Sequence, residues 1–134
     1  SHPYTSTLTG QSAAQLADAY TQATGKQWTQ PIGFAHALFE VAAAAFSAVD
    51  SIDDRQGLAA AVAGMQLQTV VGPLDWTAGP VPNVATTPLV GGQWRDGTDY
   101  PFDLVIVSNK QAPDIPTGGT VQPLNAPPPA SLRR

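Results

Sequence analysis

The segment that most constrains the fold is the run PIGFAHALFEVAAAAFSAVD, residues 31–50, because almost all of its side chains are apolar. Pro31 suits the first turn of a helix, where its missing N–H is not needed. A helix that is apolar on most sides is buried on most sides. We therefore expect a buried helix whose narrow polar edge is formed by His36, Glu40 and Ser47. The apolar positions at helical spacing are Phe34, Leu38, Val41, Ala42, Ala45 and Val49, widened by Phe39 and Phe46.

Two further helices are indicated, one on each side of this segment. Ser12 and Gln15 have the spacing of a capping box, and Gly25 is a C-terminal stop signal, which together predict a helix from about Ser12 to Thr24. Ser51 with Asp54 can cap a third helix. The expected core faces are Ala13, Leu16, Ala17 and Tyr20 in the first helix, and Leu58, Ala61, Val62 and Met65 in the third.

The pattern changes after Met65, where LQTVVG, PLVGGQW and DLVIVSN predict three short strands. The run from Leu104 to Val107 has no polar alternation, so we expect this strand to be covered on both faces. Gly91 and Gly92 indicate a bulge. The fold class is therefore α/β, with helices followed by short strands and a Pro-rich tail at residues 125–134. The whole stretch of residues 111–134 has the composition of an extended tail, so if it is ordered we expect a surface, such as a neighbouring chain, to hold it.

Composition excludes several classes of function. Charged residues make up 12% of the 134 positions, roughly half of the usual share, and the net charge is −4. The chain has no basic stripe, which disfavours nucleic acid and anionic membranes as partners. It also has no cysteine, so disulfides, thiolate metal ligands and a cysteine nucleophile are excluded.

Two pairs of residues could carry chemistry, but simpler interpretations are favoured. Asp75 beside Trp76 has no second acid, histidine or lysine nearby in sequence, so we expect Asp75 to accept hydrogen bonds from turn amides. His36 and Glu40 lie one helical turn apart, which suits an intrahelical hydrogen bond or part of a metal site. His2, near the terminus, is a poor third ligand. We expect no metal, no cofactor and no enzymatic activity, with a small metal-assisted enzyme using His36 and Glu40 as the weaker alternative.

A ligand site is predicted at the N-terminal end of the apolar helix. Trp28, Gln30 and Phe34 lie there. The free amides of a helix N-terminus can hold a carboxylate, and an adjacent aromatic ring can cover an apolar ligand. The alternative is that Trp28 and Phe34 are ordinary core residues.

Four segments together resemble a known family. They are TLTGQ at residues 7–11, GKQWTQPIGFAHALFEVA at 25–42, VVGPLDWTAGPVPNVATTPLVGGQW at 70–94, and PFDLVIV at 101–107. In order and spacing they are similar to the C-terminal part of type I periplasmic binding proteins. The nearest subgroup is the branched-chain-amino-acid-type substrate-binding proteins of ABC transporters. The resemblance spans about Tyr4 to Leu124, and residues 1–124 are accordingly assigned to a C-terminal segment of such a receptor.

The resemblance implies a receptor of two α/β lobes that closes around a small amino acid or an aromatic or other organic acid. Such a receptor delivers its ligand to an ABC permease, so a periplasmic or extracytoplasmic location is implied. The same fold feeding a signalling partner is the alternative. In this interpretation the chain is a C-terminal fragment, an upstream segment or leader has been removed, and the isolated chain binds ligand weakly or not at all. We also expect the fragment to self-associate through its apolar surfaces.

Overall fold

The structure, a computed structural model, describes residues 3–123. Over this range three helices are followed by four strands. The expected mixture of helices and strands is therefore confirmed, although both sheets are two-stranded and antiparallel. The chain divides into two compact units, Ser1–Leu89 and Val90–Arg134. The predicted Pro-rich tail at residues 125–134 lies outside the described residues.

The first helix, α1 (Ala13–Thr24), begins and ends as its sequence predicts. The Ser12 hydroxyl accepts the Gln15 amide at 3.2 Å, and the Ser12 amide donates to the Gln15 side chain at 2.9 Å. Gly25 follows the helix in the left-handed conformation, with φ 67°. Both capping predictions are confirmed because they depend only on neighbouring residues.

The helix α2 spans Gln30–Ser47 and α3 spans Arg55–Ala63. Pro31 lies in the first turn of α2, as expected. Of the two capping candidates for α3, Asp54 is the one at the N-cap, where its carboxylate accepts the Gly57 amide at 2.9 Å. Ser51 lies one turn earlier and accepts the Asp53 amide instead.

The strand predicted over residues 67–72 is confirmed for residues 67–69 but not as one continuous strand, because residues 70 and 71 form the turn of a hairpin. The strands β1 (Gln66–Thr69) and β2 (Gly72–Asp75) pair in antiparallel register. Val70 and Val71 form the turn between them, despite their β-branched side chains. The Thr69 hydroxyl closes the turn by donating to the Gly72 carbonyl at 2.8 Å, and Gly72 takes φ 112°.

The inward face of α2 is rotated from the one predicted, although Ala45 is buried and Ser47 is exposed as expected. Glu40, expected on the polar edge, is buried with 2% of its surface exposed, whereas Leu38 and Phe39 are 72% and 77% exposed. The reason is a hydrogen bond: the Glu40 carboxylate accepts the buried main-chain N–H of Val70 at 3.2 Å. The hairpin turn leaves this amide without a strand partner, so a polar side chain of α2 must face inward. The buried residues of α2 are Gly33, Ala37, Glu40 and Ala45.

The second unit contains a hairpin of β3 (Gly91–Asp96) and β4 (Phe102–Ser108). The predicted bulge is confirmed by a register shift between Gly91 and Gly92. The predicted burial of residues 104–107 on both faces is wrong, since Leu104 is exposed and residues 105–107 are only partly buried. Within the described residues β4 pairs with β3 alone, so the apolar run lies in a two-stranded ribbon.

The chain after β4 is held by this same hairpin. The side-chain amide of Gln93 makes two hydrogen bonds with the main chain of Gln122. The Arg95 guanidinium donates to the Thr120 carbonyl, and the Gly118 amide donates to the Ile106 carbonyl at 2.8 Å. Residues 118–122 are therefore ordered by contacts within the chain, and the neighbouring chain suggested for the tail is not needed for this part.

Candidate functional site

Trp28 lies between two helices of the first unit. Its ring meets Tyr20 of α1 edge-to-face, with 5.7 Å between centroids and an interplanar angle of 75°. A methyl group placed on Gly33 of α2 would lie 3.3 Å from the indole atom Cζ2 and 3.4 Å from the Val71 side chain. The indole therefore covers the first turn of α2, and only a glycine at position 33 leaves it ordinary van der Waals room.

Trp28 is only partly buried. Edge-to-face pairs of this geometry are favourable beyond the area that they bury. Because Tyr20 and Gly33 hold the ring from two directions, the indole is fixed in place while part of it still faces solvent. A ring held in this way can serve as a rigid platform for a ligand.

The N-terminus of α2 lies next to Trp28. Thr29 is the N-cap in an extended conformation, but its side chain accepts no capping hydrogen bond, in contrast to Ser12 in α1 and Asp54 in α3. The Thr29 carbonyl accepts the Ile32 amide at 3.1 Å. Helix N-termini carry a partial positive charge, although in this first turn Pro31 has no N–H and the Ile32 amide is already paired with Thr29. This end of α2 can therefore accept an anionic group.

The two other predicted ligand residues are on α2 itself. Gln30 is exposed and Phe34 is partly buried. Residues four apart share one face of a helix, so Gln30 and Phe34 are neighbours on the surface of the first turn. The structure therefore brings Trp28, Gln30 and Phe34 to the same end of α2. Trp28 also has the packing role that the core interpretation required, as its contacts with Tyr20 and Gly33 show.

The pair formed by His36 and Glu40 has the predicted hydrogen bond, although a long one. Nδ1 of His36 lies 3.4 Å from Oε2 of Glu40. His36 keeps 29% of its side-chain surface exposed, whereas Glu40 is buried and its Oε1 has no hydrogen-bond partner. In residues 3–123 no three acidic, histidine or cysteine side chains cluster as a metal site would require. His2 lies outside the described residues.

Asp75 has the structural role that the sequence predicted. Its Oδ1 accepts the Thr77 hydroxyl at 2.6 Å, the Thr77 amide at 2.8 Å and the Ala78 amide at 3.2 Å. Its Oδ2 accepts the Gln66 side chain at 3.1 Å across the hairpin. The pKa of Asp75 is lowered below its ordinary value of 3.8, mainly because its carboxylate accepts a hydrogen bond from the Thr77 hydroxyl. Partial desolvation of the carboxylate raises the pKa and so opposes this effect. The hydrogen bonds from the Thr77 and Ala78 amides and from the Gln66 side chain lower the pKa further.

Sequence reasoning missed the residues that hold Trp28 in place. Tyr20 was expected only as one member of the α1 core stripe, and Val71 was expected within a strand. A glycine in the first turn of an otherwise Ala-rich helix was the available signal, because such a glycine often marks close approach of another group. Nothing in the sequence indicates which ring approaches Gly33.

Comparisons of the chain with protein-family models, with curated proteins and with solved structures find no match. Among the helices in residues 3–123, none has the length and apolar character needed to cross a lipid bilayer.

Proposed function

We propose that this chain is the C-terminal part of a solute-binding receptor of an ABC transporter, of the type I periplasmic-binding-protein kind. The receptor captures a small amino acid or an aromatic or other organic acid outside the cytoplasm by closing a cleft, and passes it to a membrane permease. The proposal combines the resemblance of the four sequence segments with the geometry at the start of α2. The chain itself performs no chemistry.

The observation that carries the proposal is the position of the Trp28 indole beside the uncapped N-terminus of α2. A carboxylate at this end of the helix is favoured by the partial positive charge of the helix dipole. The apolar body of the same ligand lies against the exposed part of the indole. One end of the site therefore selects a negative charge, and the other selects an apolar or aromatic group.

The roles of the three residues follow from their exposure. Trp28 is the rigid platform, since Tyr20 and Gly33 fix its ring. Gln30 is exposed and carries both donors and an acceptor, so it can bind a second polar group of the ligand. Phe34, one turn along the same face, extends the apolar wall. This arrangement favours a carboxylic acid with a compact apolar side chain.

The test is isothermal titration calorimetry on the complete receptor. The probes are L-leucine, L-phenylalanine and benzoate, with benzyl alcohol as the probe that lacks a carboxylate. We expect one of the three acids to bind and benzyl alcohol to bind far more weakly. Trp28→Ala should weaken binding of the preferred acid by about 1–3 kcal/mol, the scale of one lost aromatic contact.

The matched control is Trp94→Ala, because Trp94 is an exposed tryptophan on β3 that the proposal gives no role in binding. This variant should bind like the wild type. If Trp28→Ala binds with unchanged affinity, the site is wrong even when the receptor binds an acid. If none of the acids binds, the proposed function itself is wrong.

A further inference from the structure

The outward face of α2 is an apolar stripe, defined here as Leu38, Phe39, Ala42 and Phe46. Leu38 and Phe39 are among the most exposed large apolar side chains in the described part of the chain, and Phe46 is 49% exposed. Leu38, Ala42 and Phe46 are spaced four residues apart, so they form a row along one side of the helix. Ala42 in the middle of the row is small and only partly exposed. The exposed large side chains around it mark an interaction surface.

The helix cannot hide this stripe by turning. Its opposite side carries Gly33, Ala37 and Glu40, which are all buried, and Ala45, which neighbours Ala42 on the helix surface, is buried as well. The Glu40 carboxylate holds the Val70 amide at 3.2 Å. Rotating α2 to bury Phe39 would break this bond and leave a buried N–H without a partner. The direction of the stripe is therefore imposed by the interior of the unit.

The stripe is suited to a second copy of itself. Glu40 is the only Asp, Glu, Lys or Arg between Gln30 and Ser47, and it faces inward. A two-fold contact places identical surfaces against each other, so any exposed charge near the axis would meet a like charge. The outward face of α2 contributes no such charge. Self-pairing of this face therefore meets no electrostatic opposition from the helix.

The residue spacing also suits two-fold symmetry. If two α2 helices cross antiparallel with the axis at Ala42, Leu38 of one copy meets Phe46 of the other, because both lie four residues from the centre. The small Ala42 at the axis allows the helices to approach to about 8 Å. The large side chains of Leu38 and Phe46 then lie on either side of the small Ala42, so the two helices can interlock.

We infer that two copies of this chain form a symmetric dimer through the α2 stripe, with Ala42 at the two-fold axis. The inference does not rest on ligand binding and goes beyond the proposed receptor function. A fully exposed phenylalanine offers about 200 Å², so the stripe presents on the order of 400 Å² per copy. With the neighbouring alanines, two copies bury about 1,000 Å², the lower end of specific interfaces. The dimer is therefore weak, with a dissociation constant on the order of 10–100 µM.

The first test is sedimentation velocity of the 134-residue chain between about 1 and 300 µM, a range chosen to bracket that constant. We expect the mass to rise from 13.9 kDa to twice that value and no further. Phe39→Lys should weaken association at least about tenfold, because it places two like charges in the interface. The control is Val81→Lys, which changes another exposed apolar residue in the same unit and should leave association unchanged.

The second test places a thiol at the axis of a chain that has no cysteine of its own. Helix axes about 8 Å apart bring facing Cα atoms within the roughly 4–7 Å that a disulfide spans. Ala42→Cys should therefore form a disulfide-linked dimer in mild oxidant. Ala59→Cys, at an exposed position on α3, should form far less.

Three results would overturn the inference. One is a wild-type chain that stays monomeric up to the highest concentration. Another is a dimer that tolerates Phe39→Lys, and the last is growth into larger oligomers. If Ala42→Cys crosslinks no faster than Ala59→Cys, the assigned axis is also wrong.

Discussion

The side chain of Gln93 pairs with the main chain of Gln122 as one peptide group pairs with another. Its Nε2 donates to the Gln122 carbonyl at 2.8 Å, and its Oε1 accepts the Gln122 amide at 3.0 Å. Gln122 lies outside any strand, yet its main-chain amide and its carbonyl are both hydrogen-bonded to the side chain of Gln93. A segment rich in glycine and threonine, which buries little apolar surface, is ordered in this way by polar contacts.

We expect Gln93→Ala to release residues 118–122 from the hairpin. The variant loses the two hydrogen bonds to Gln122, which together contribute about 1–3 kcal/mol to holding this segment. It also loses the hydrogen bond that Gln93 Oε1 accepts from Arg95 at 3.3 Å. The measurement is amide hydrogen exchange at Gln122, which should become faster, while exchange in α1 stays unchanged. Gln93→Glu should be intermediate, because a carboxylate still accepts the amide but has no donor for the carbonyl. Unchanged protection of the Gln122 amide in Gln93→Ala would contradict this role.

The bond between Glu40 and Val70 should be the most sensitive polar contact of the first unit. Glu40→Ala leaves the buried Val70 amide unpaired, and we expect a loss of about 1–3 kcal/mol in the free energy of unfolding. Glu40→Gln keeps an acceptor for the amide and should lose less. Ser47→Ala, at the exposed end of the same helix, should change stability by less than about 0.5 kcal/mol. Urea denaturation measures all three, and equal stability of Glu40→Ala and Ser47→Ala would refute the prediction.

The lowered pKa of Asp75 makes a pH-dependent contribution to the hairpin. Its ionised form is favoured in the folded state, so the contribution is present above the ordinary value of 3.8 and is lost as the pH falls through the lower folded value. An NMR titration of the Asp75 carboxyl carbon should show a midpoint below 3.8. Thr77→Val removes the hydroxyl donor that lies at 2.6 Å and should move the midpoint upward. A midpoint that does not move would show that the hydroxyl is not the main cause.

Gly72 and Gly64 should respond in opposite directions to replacement by alanine. Gly72 has φ 112°, and a methyl group there would lie 3.2 Å from the ring of Tyr4, so Gly72→Ala should destabilise the chain by about 1–2 kcal/mol. Gly64 ends α3 with φ −97°, and its nearest atom would be 3.7 Å away. Gly64→Ala should therefore be neutral or stabilise by up to about 1 kcal/mol. Thermal unfolding of the two variants compares them directly, and equal effects would contradict the argument.

Local signals were sufficient for α1 but not for the turn between β1 and β2. The cap of α1 depends on Ser12, Gln15 and Gly25, which are all close in sequence. Val70 and Val71 have strand propensity, yet they form a turn because contacts from elsewhere stabilise it. One of these is the Glu40 carboxylate, 30 residues away in sequence. Tertiary contacts override propensity in such places, and no window of neighbouring residues contains them.

The periodicity of α2 predicted which residues share a face but not which face lies inside. Leu38 and Phe39 were assigned to the interior on hydrophobicity alone, and the structure places them outside. The missing information was the unpaired amide of Val70, which is known only once the hairpin is known. At the candidate site, the grouping of Trp28, Gln30 and Phe34 was predictable because all three are close in sequence. The contact of Trp28, in the loop before α2, with Tyr20 of α1 was not.

The hydrogen bond from Val70 to Glu40 also makes one amide a reporter for a whole helix. Most amides in a hairpin exchange with solvent when the hairpin itself opens, but the acceptor of this one belongs to α2. Its exchange rate therefore follows separation of α2 from the hairpin, even while β1 and β2 remain paired. Comparing Val70 with Leu67 within β1 distinguishes undocking of the helix from unfolding of the unit. The exchange rate of this one amide, measured over time in the folded protein, thus gives the free energy with which the helix is held in place.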